Sequence, residues 1–592
     1  MYRSRTCGEL SLKHQNEMVT LAGWVQSLRD FGKLTFLDLR DRYGITQVVF
    51  NTEENENLYQ EAHGLNREFV IQVKGEVRER ENKNLNNPTG EIEIKAVELT
   101  ILNPSEIPPF TIIDETDGSE ELRLKYRYLD LRRPKMNKLL VGRAKLFSVM
   151  RRYLDSRDFL EIETPILIKS TPEGARDFLV PSRIQHGSFY ALPQSPQILK
   201  QILMVSGADR YYQIVKCFRD EDFRGDRQPE FTQLDCEMSF VEQEDVLTTF
   251  EGLVKEVYQE MMGINDIEIS RMIYADAIKF YGSDKPDLRF DCKIIEISSH
   301  IPNSEFPVFN QAISNGGIVS GIVAPNGAFY TRKQIDAAID FVKESNRGLQ
   351  GLVWIRYNEE GWKSSVDKFY TSEQVQEMGK QLGMNKGDLA FLAADKTSKV
   401  QKSLGDLRLK LAKENGWIDE NKWSILWVMD FPLFEQDEET GETHFVHHPF
   451  CMPHQDDIQY LESDPMRVRG QLYDLVINGN EILSGSIRIH QKELQDRIFK
   501  ILGLSEEEKT DKFGFMLNAF QYGAPPHGGC AFGIDRWLML MLGGDTIRDV
   551  IPFPKASNGK DMMMNAPTYV DNNQLVELGI EVVKKEDDCS TL

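Results

Sequence analysis

The chain has 592 residues, too many for one hydrophobic core, and should divide into roughly three or four domains. Its 41% hydrophobic and 28% charged content is ordinary for a globular protein, and residues 537–542 form far too short an apolar stretch to span a membrane. The formal net charge of −23 argues against simple counterion-driven nucleic-acid binding, so an RNA partner would have to be selected by local patches and shape. The seven cysteines are scattered with no C-x-x-C pair, against a disulfide framework or a zinc site. No apolar segment follows Met1–Arg5 to serve as a secretory signal, and a cytoplasmic enzyme fits these features.

In chain order, the first hundred residues read as short alternating strands at 19–25, 33–39, 46–50, 69–75 and 91–97, with a helical patch near 53–65. Five strands and one helix suit a small Greek-key barrel of the OB type. Prolines at 104, 108 and 109 and the acidic stretch 114–121 mark a linker. Helical spacing over 139–154 then gives way to a strand at 159–165 that ends at Pro165. Residues 213–217 and 231–237 read as two strands around a charged loop. The stretch 288–421 is rich in Lys, Asp and Glu, carries its own helix (333–344) and strand (351–356), and reads as an insertion. The fold expected is α+β: an N-terminal OB-type β-barrel (1–105), a hinge (106–130), an antiparallel-sheet catalytic domain with helices in two parts (131–287 and 425–592), and an inserted α+β domain (288–424).

Three separated stretches carry the chemistry: Phe218-Arg219-Asp220-Glu221, Gln228 to Glu237, and Gly529 to Arg536. Arg219 follows a strand, and by alternation Glu221 should share its face. A planar guanidinium there can fork onto an α-phosphate and stabilise charge during in-line displacement, Phe231 can stack on adenine, and Glu221 can accept its exocyclic amine. For a lone R-x-E the bland reading is a surface ion-pair network. Glycines at 529 and 533 let backbone approach a ligand, with Arg536 at the start of a helix beside it; the bland reading is a helix packed tightly on a sheet.

Pro165, the Phe-Arg-Asp-Glu hairpin and the Gly533-Ile534-Asp535-Arg536 segment resemble motifs 1, 2 and 3 of class II aminoacyl-tRNA synthetases, the bacterial-type aspartyl enzymes most closely. That resemblance runs through Arg127–Arg132, Ser170–Asp177, Tyr190–Gln197, His447-His448-Pro449-Phe450, Ser486–His490 and Tyr522–Gly529, and covers essentially the whole chain. Neither H-x-G-H nor K-M-S-K-S, the signatures of the other synthetase class, is present.

The resemblance implies that Glu173, Gln197, Ile198, Leu199, Lys200, Arg219, His448 and Arg488 contact aspartate. It implies that Arg219, Asp220, Glu221, Gln228, Phe231, Glu481 and Gly533 to Arg536 (with Ile534 and Asp535) hold ATP. Arg219, Arg536 and Glu481 would be catalytic, with Asp474 and Glu481 as carboxylates for Mg2+ that accompanies ATP. Cations suit a substrate with a side-chain carboxylate, Arg488 by bidentate geometry and Lys200 as a point charge, although Lys200 by itself reads equally as a solvated lysine. His447-His448 reads equally as a structural turn. Ser484 stands where the family usually has glycine. In the barrel, Phe36 would stack an anticodon base and Gln47 read its edge, with Arg29 and Arg78 on phosphates; a phenylalanine in an alternating strand is otherwise core. Phe31 and residues 82–88 lie where the family varies between charging tRNA(Asp) alone and also tRNA(Asn).

The reading is therefore an aspartate- and ATP-dependent tRNA ligase working as a homodimer, with no membrane association. The alternatives carried beside it are a tRNA-free amide synthetase on the same catalytic fold and a protein that only binds RNA.

Overall fold

The computed structural model describes residues 1–171, 174–221, 227–344, 347–437 and 440–583. They form two compact units, one built chiefly from Met1–Lys145 and Leu538–Leu575, the other chiefly from Leu146–Glu221 and Glu230–Trp537.

In the first unit, β1 (Met18–Asp30), β2 (Leu34–Arg40), β3 (Ile45–Asn51), β4 (Val70–Glu79) and β5 (Ile92–Asn103) close into a barrel of order β1-β2-β3-β5-β4. All five expected strands are present; four are longer than the apolar alternation marks them, and β2 keeps its length, shifted by one residue. Val19, Leu21, Val25, Leu37, Leu39, Val48, Ile71, Val73, Ile92 and Ile94 point inward and fill the core, with Leu58, Tyr59 and Ala62 of α1 (Glu56–His63) packed on it. Asn55 caps that helix by accepting the Leu58 N–H at 3.0 Å. Residues 104–119 carry no helix or strand. They lead to α2 (Glu120–Lys125), α3 (Arg127–Asp130) and the long α4 (Pro134–Asp155), which starts five residues before the apolar spacing indicates because Pro134 is tolerated in a first helical turn.

The second unit is organised by an eight-stranded sheet. Its early strands are β6 (Leu160–Glu161), β9 (Arg210–Phe218), β10 (Glu230–Ser239) and β11 (Ile269–Ile273), with the small hairpin β7 (Leu179–Pro181) and β8 (Phe189–Ala191) outside it. Helices α5 (Gln197–Val205), α6 (Gln243–Met262) and α7 (Tyr274–Tyr281) accompany these strands. The strand expected over 159–165 is reduced to two residues, which pair parallel with β9. Arg219 and Glu221 lie beyond the end of β9, so the strand alternation used to put them on one face does not apply.

A five-stranded sheet of order β12-β13-β16-β14-β15 follows, from β12 (Ile295–Glu296), β13 (Ile318–Ala324), β14 (Val353–Asn358), β15 (Gly361–Ser364) and β16 (Leu389–Asp395). On β16, Leu389, Phe391 and Ala393 face a cluster shared with α9 (Arg332–Lys343) and α11 (Thr397–Glu414). Ala390 and Leu392 face another cluster, shared with α8 (Pro307–Ser314) and α10 (Ser372–Gln381). Both faces are covered, which is why this strand is a continuous apolar run. The chain leaves the large sheet after β11 and re-enters at β17 (Ile425–Met429), and these two strands pair with each other. The excursion therefore leaves the order of the large sheet unbroken.

The large sheet is completed, beside the small hairpin β18 (Phe434–Gln436) and β19 (Thr443–Phe445), by β20 (Leu472–Ile477), β21 (Asn480–Ile487) and β22 (His527–Gly533). Its order is β11-β17-β20-β21-β22-β10-β9-β6. Asn478 (φ 50°) and Gly479 (φ 76°) both take the left-handed conformation, the pairing that a two-residue hairpin between β20 and β21 requires. Helices α12 (Lys492–Ile501), α13 (Glu506–Phe520) and α14 (Ile534–Leu542) follow, then the short α15 (Ile547–Val550) and α16 (Asn572–Leu578), and the run 537–542 is part of α14, with Trp537 fully buried. Among the described residues no helix is long and apolar enough to cross a membrane.

Candidate active site and RNA-facing surface

Strand alternation on β10 sends Asp235 and Glu237 to one face of the large sheet, and both are buried. Lys200, one turn into α5 on the same helical face as Gln197, reaches down to them: its Nζ lies 2.7 Å from Asp235 Oδ1 and 3.3 Å from Glu237 Oε2. It is 1% exposed, so the solvated-lysine reading is not realised. Arg488, at the end of β21, donates from Nε and Nη2 to the two oxygens of Glu237 at 2.9 and 3.1 Å. Two buried cations thus face two buried carboxylates. Burial opposes charge on Lys200, but Asp235 and Glu237 outweigh it and hold its pKa above the ordinary value.

Neither Asp235 nor Glu237 was assigned from sequence; the signal was their i, i+2 spacing in the same run as Phe231. Gly529 lies opposite Glu237 in the β10–β22 register. A Cβ at that glycine would come within 2.2 Å of Glu237 Oε2. The glycine therefore makes room for the carboxylate, a correction to its expected role of admitting a ligand.

Arg488 is not an open fork. Besides Glu237 it meets Ser486 Oγ and, through Nη1 at 2.7 Å, His448 Nε2. Of five guanidinium N–H groups this leaves one on Nη2. His448 is itself frustrated. Burial and the charge of Arg488 push its pKa well down, so the ring is neutral and has one acceptor nitrogen. Yet the Phe450 N–H faces Nδ1 at 3.2 Å while Arg488 faces Nε2. One of these contacts sets donor against donor.

Gln197 is buried and donates to Gln201 Oε1 at 3.3 Å. Ile198 packs with Phe450, Phe499, Phe513 and Leu517, so its side chain belongs to the core rather than to a ligand, a correction that follows from its place on the other helical face. Leu199 is half-buried and on neither of these faces. Glu173 lies outside the described residues.

Asp235 is the titration-sensitive member. Burial raises its pKa to about 6, against the pull of Lys200, and its Oδ2 has no hydrogen-bond partner among the described residues. An acceptor of this kind suits a substrate ammonium group. We expect kcat/KM for the amino acid to fall as pH drops through about 6, and Asp235→Asn to flatten that acid limb. A pH profile that stays level down to pH 5, measured by pyrophosphate exchange, would remove Asp235 from binding. Stability moves the other way: a carboxyl whose folded pKa exceeds its unfolded value of about 4 gains relative stability as pH falls through that window.

At the nucleotide end, the guanidinium carbon of Arg219 stands 5.1 Å from the centroid of Phe231, and Arg219 Nε is buried with no partner among the described residues. The pair expected to clamp phosphate and adenine is therefore adjacent. Asp220 and Glu221 are half-buried beside it. Arg536, in the first turn of α14, donates from Nη1 to the Glu481 carbonyl at 2.6 Å, and a Cβ at Gly533 would lie 3.8 Å from the Ile482 carbonyl oxygen, an ordinary contact.

Three expected nucleotide contacts are engaged elsewhere. Asp535 Oδ2 accepts the Thr232 N–H at 2.9 Å, Ile534 is fully buried, and Gln228 exchanges two hydrogen bonds with the Lys555 backbone. Each takes its place from tertiary packing that the motif does not display.

Asp474 and Glu481 come from the two strands of the β20–β21 hairpin. Asp474 is 5% exposed, and burial followed by repulsion from Glu481 pushes its pKa well up. Its Oδ1 is another buried acceptor with no hydrogen-bond partner among the described residues. Two repelling carboxylates with an orphaned oxygen fit a hard divalent cation that is shared with phosphate oxygens. The described residues contain no group of three or more acidic, histidine or cysteine side chains arranged to hold a metal.

On the barrel, Phe36 alternates with buried Thr35 and Leu37 and faces outward, so it is not core. Exposed Phe31 meets it edge-on at 5.7 Å. Gln47 donates to Glu93 at 3.0 Å, and Arg29 donates to Asp38 at 3.0 Å and Gln47 at 3.4 Å. Arg78 is ion-paired with Glu76. A cavity of about 390 Å³ opens beside Gln47, lined also by Arg29, Asp38, Arg80, Asn84 and Asn86. Glu93 and Arg80 escaped sequence reasoning because the parallel β3–β5 pairing brings Glu93 to Gln47, and Arg80, just past β4, joins them through the β4–β5 pairing.

Comparison with known proteins places the chain in a family. Residues 119–557 match a family model described as class II tRNA synthetases (D, K and N), and residues 19–102 match an OB-fold nucleic acid binding domain. The aspartate–tRNA ligase of Phocaeicola vulgatus is 54% identical over 590 residues, covering 99% of this chain and all of the relative. That of Porphyromonas gingivalis is 54% identical with the same coverage. Among solved structures, the asparaginyl-tRNA synthetase of Pyrococcus horikoshii complexed with asparaginyl-adenylate superimposes with a TM-score of 0.60 at 19% identity, covering 94% of this chain and 98% of that one. The aspartyl-tRNA synthetase of Entamoeba histolytica gives 0.57 at 18%, covering 93% and 90%. With a barrel, an antiparallel sheet and a full-length match in hand, the chain belongs to the class II tRNA synthetases, in the aspartate–tRNA ligase family.

Proposed function

We infer that this chain is an aspartate–tRNA ligase: it activates L-aspartate with ATP to aspartyl-adenylate and pyrophosphate, then transfers aspartate to the terminal ribose of tRNA(Asp). The observation that carries the reading is the buried contact of the Arg488 guanidinium with His448, beside Lys200 and the Asp235 oxygen that has no hydrogen-bond partner among the described residues. A dicarboxylic amino acid answers both, its side-chain carboxylate between Arg488 and His448 and its ammonium on Asp235. Its α-carboxylate is already anionic and needs no strong general base, so the work of the site is alignment and charge neutralisation. Arg219 addresses the α-phosphate, Phe231 the adenine and Arg536 the remaining phosphates. Asp474 and Glu481 would hold Mg2+, which supplies charge neutralisation on the pyrophosphate.

The tRNA-free amide synthetase is set aside, because the identity to aspartate–tRNA ligases runs through the barrel and the insertion alike. So is the protein that only binds RNA, since Arg219, Arg488, Asp474 and Glu481 are all present. Phe36, Gln47 and Arg29 would read the anticodon at the barrel cavity, with Arg78 on a phosphate. The domain limits given above, a cytoplasmic location and a homodimer belong to the same reading; exposed Leu160, Ile166 and Leu167 beside β6 support the last.

Exposed Phe31 and the polar wall of Asn84 and Asn86 bear on whether tRNA(Asn) is charged as well. Charging assays with the two purified tRNAs side by side test the reading. Aspartylation of tRNA(Asp) is expected; absence of charging on both would refute it, and charging of both would assign the broader specificity.

A further inference from the structure

The two roots of the inserted domain meet at the tip of the β20–β21 hairpin. At the exit root, Ser424 donates its N–H to Asn478 Oδ1 at 2.8 Å, and its carbonyl accepts the Asn478 N–H at 2.9 Å. At the entry root, Asp287 lies against the other turn residue: a Cβ on Gly479 would come within 3.1 Å of the Asp287 Cβ. Asp287 is itself fixed. Arg289 donates its backbone N–H to Oδ1 at 3.0 Å and its Nη2 to Oδ2 at 2.8 Å, while its Nη1 reaches Glu420 near the exit root at 2.8 Å. From α11, the buried Arg408 guanidinium donates to the carbonyls of Asp287 and Cys292, each at 2.7 Å, with its carbon 4.1 Å from the centroid of Phe290. Entry, exit and α11 are thereby tied into one base beneath the turn.

The hairpin tip depends on that base. The β21–β22 pairing runs from Leu483 to Ile487, so Glu481 lies past its last rung. There β21 rests on β20, on the bond from Arg536 to the Glu481 carbonyl, and on the turn. Asp474, by contrast, is flanked by β17 and β21 together. A tilt of the turn therefore displaces Glu481 first.

We propose that the roots of the inserted domain form a clasp on this turn, and that Asn478 is the positioning residue through which the clasp sets Glu481 at the nucleotide end of the site. The inference rests on the reading of Glu481 as an ATP-side carboxylate. It gives the insertion a part in amino-acid activation that is independent of any contact with RNA. A left-handed turn by itself is satisfied by glycine at 478; the Oδ1 bond to Ser424 is what glycine cannot make.

The test is pyrophosphate exchange by the full-length protein, titrated with MgATP at saturating aspartate. Asn478→Gly keeps the left-handed backbone and removes the side-chain acceptor; it is expected to raise KM for ATP about tenfold, the scale of one hydrogen bond. Asn478→Asp keeps an acceptor oxygen on a residue that tolerates positive φ, and should recover most of that loss. Aspartate affinity, measured calorimetrically without nucleotide, should stay at the parental value in both. Glu481→Ala is the control for the site itself. A parental KM for ATP in Asn478→Gly, with Glu481→Ala weakened, would overturn the clasp and leave the site in place. A parental KM in Glu481→Ala would overturn the reading of Glu481 and the inference together. Equal loss of aspartate and ATP affinity in Asn478→Gly would mark a general disturbance of the fold and overturn the proposal.

Discussion

Arg488→Leu should abolish aspartate-dependent pyrophosphate exchange, lowering kcat/KM for aspartate by about three orders of magnitude or more, the scale of losing a buried charged contact to a reacting substrate. Arg488 is 1% exposed and carries a fork onto Glu237, so leucine also strands that carboxylate with Lys200 as its one remaining cation. Breaking a buried pair in this way costs about 3–5 kcal/mol of stability. The two effects are separable. Arg488→Lys keeps the positive charge but not the planar fork, and should retain more stability while still losing most aspartate affinity. ATP binding, measured by calorimetry, reports whether the folded site survives in either variant. A folded Arg488→Leu protein with parental exchange activity would show that the acid-recognising pocket lies elsewhere.

Arg219→Ala should be nearly as damaging for a different reason. Its Nε is a buried donor with no partner among the described residues, and its guanidinium lies over Phe231, which it would share with adenine. Removing one preorganised donor to developing charge costs about 10²–10³ in rate, so adenylate formation should fall by that factor with a raised KM for ATP. The fold should hold, because Arg219 is half-buried beyond the end of β9 and its contact with Phe231 is worth only about 0.5–1 kcal/mol. Aspartate binding without ATP should remain. Rapid-quench measurement of adenylate formation distinguishes this from a slow later step; a parental burst would exclude Arg219 from the activation chemistry.

The two arginines differ in how far sequence could describe them. Arg219 sits in a local motif, and its partner Phe231 follows in the same hairpin, so their adjacency is a matter of strand register over a few residues. Arg488 meets Glu237 across 251 positions of chain. No local pattern announces that pair, and with it went unread the fact that most of the guanidinium is already occupied. The same gap explains Gly529, read as a ligand-facing glycine but required by the approach of Glu237 in the neighbouring strand. It explains Asp535 and Gln228 too, polar residues in a nucleotide-binding motif whose side chains are consumed by distant backbone. Ile198 belongs with them: position beside Gln197 suggested a ligand contact, but a helix turns successive residues about 100° apart, and Ile198 falls on the core side.

What the sequence determined by itself was whatever repeats at short range. The period-two alternation of the barrel strands and the helical spacing before Pro165 depend on residues near one another in the chain, where backbone geometry dictates which side chains share a face. Tertiary structure alone decided how buried charges are matched. The Lys200–Asp235–Glu237–Arg488 quartet exists only once α5, β10 and β21, far apart in sequence, are brought together. Desolvation makes every unpaired charge there costly, so partners are set by the three-dimensional neighbourhood and not by spacing along the chain.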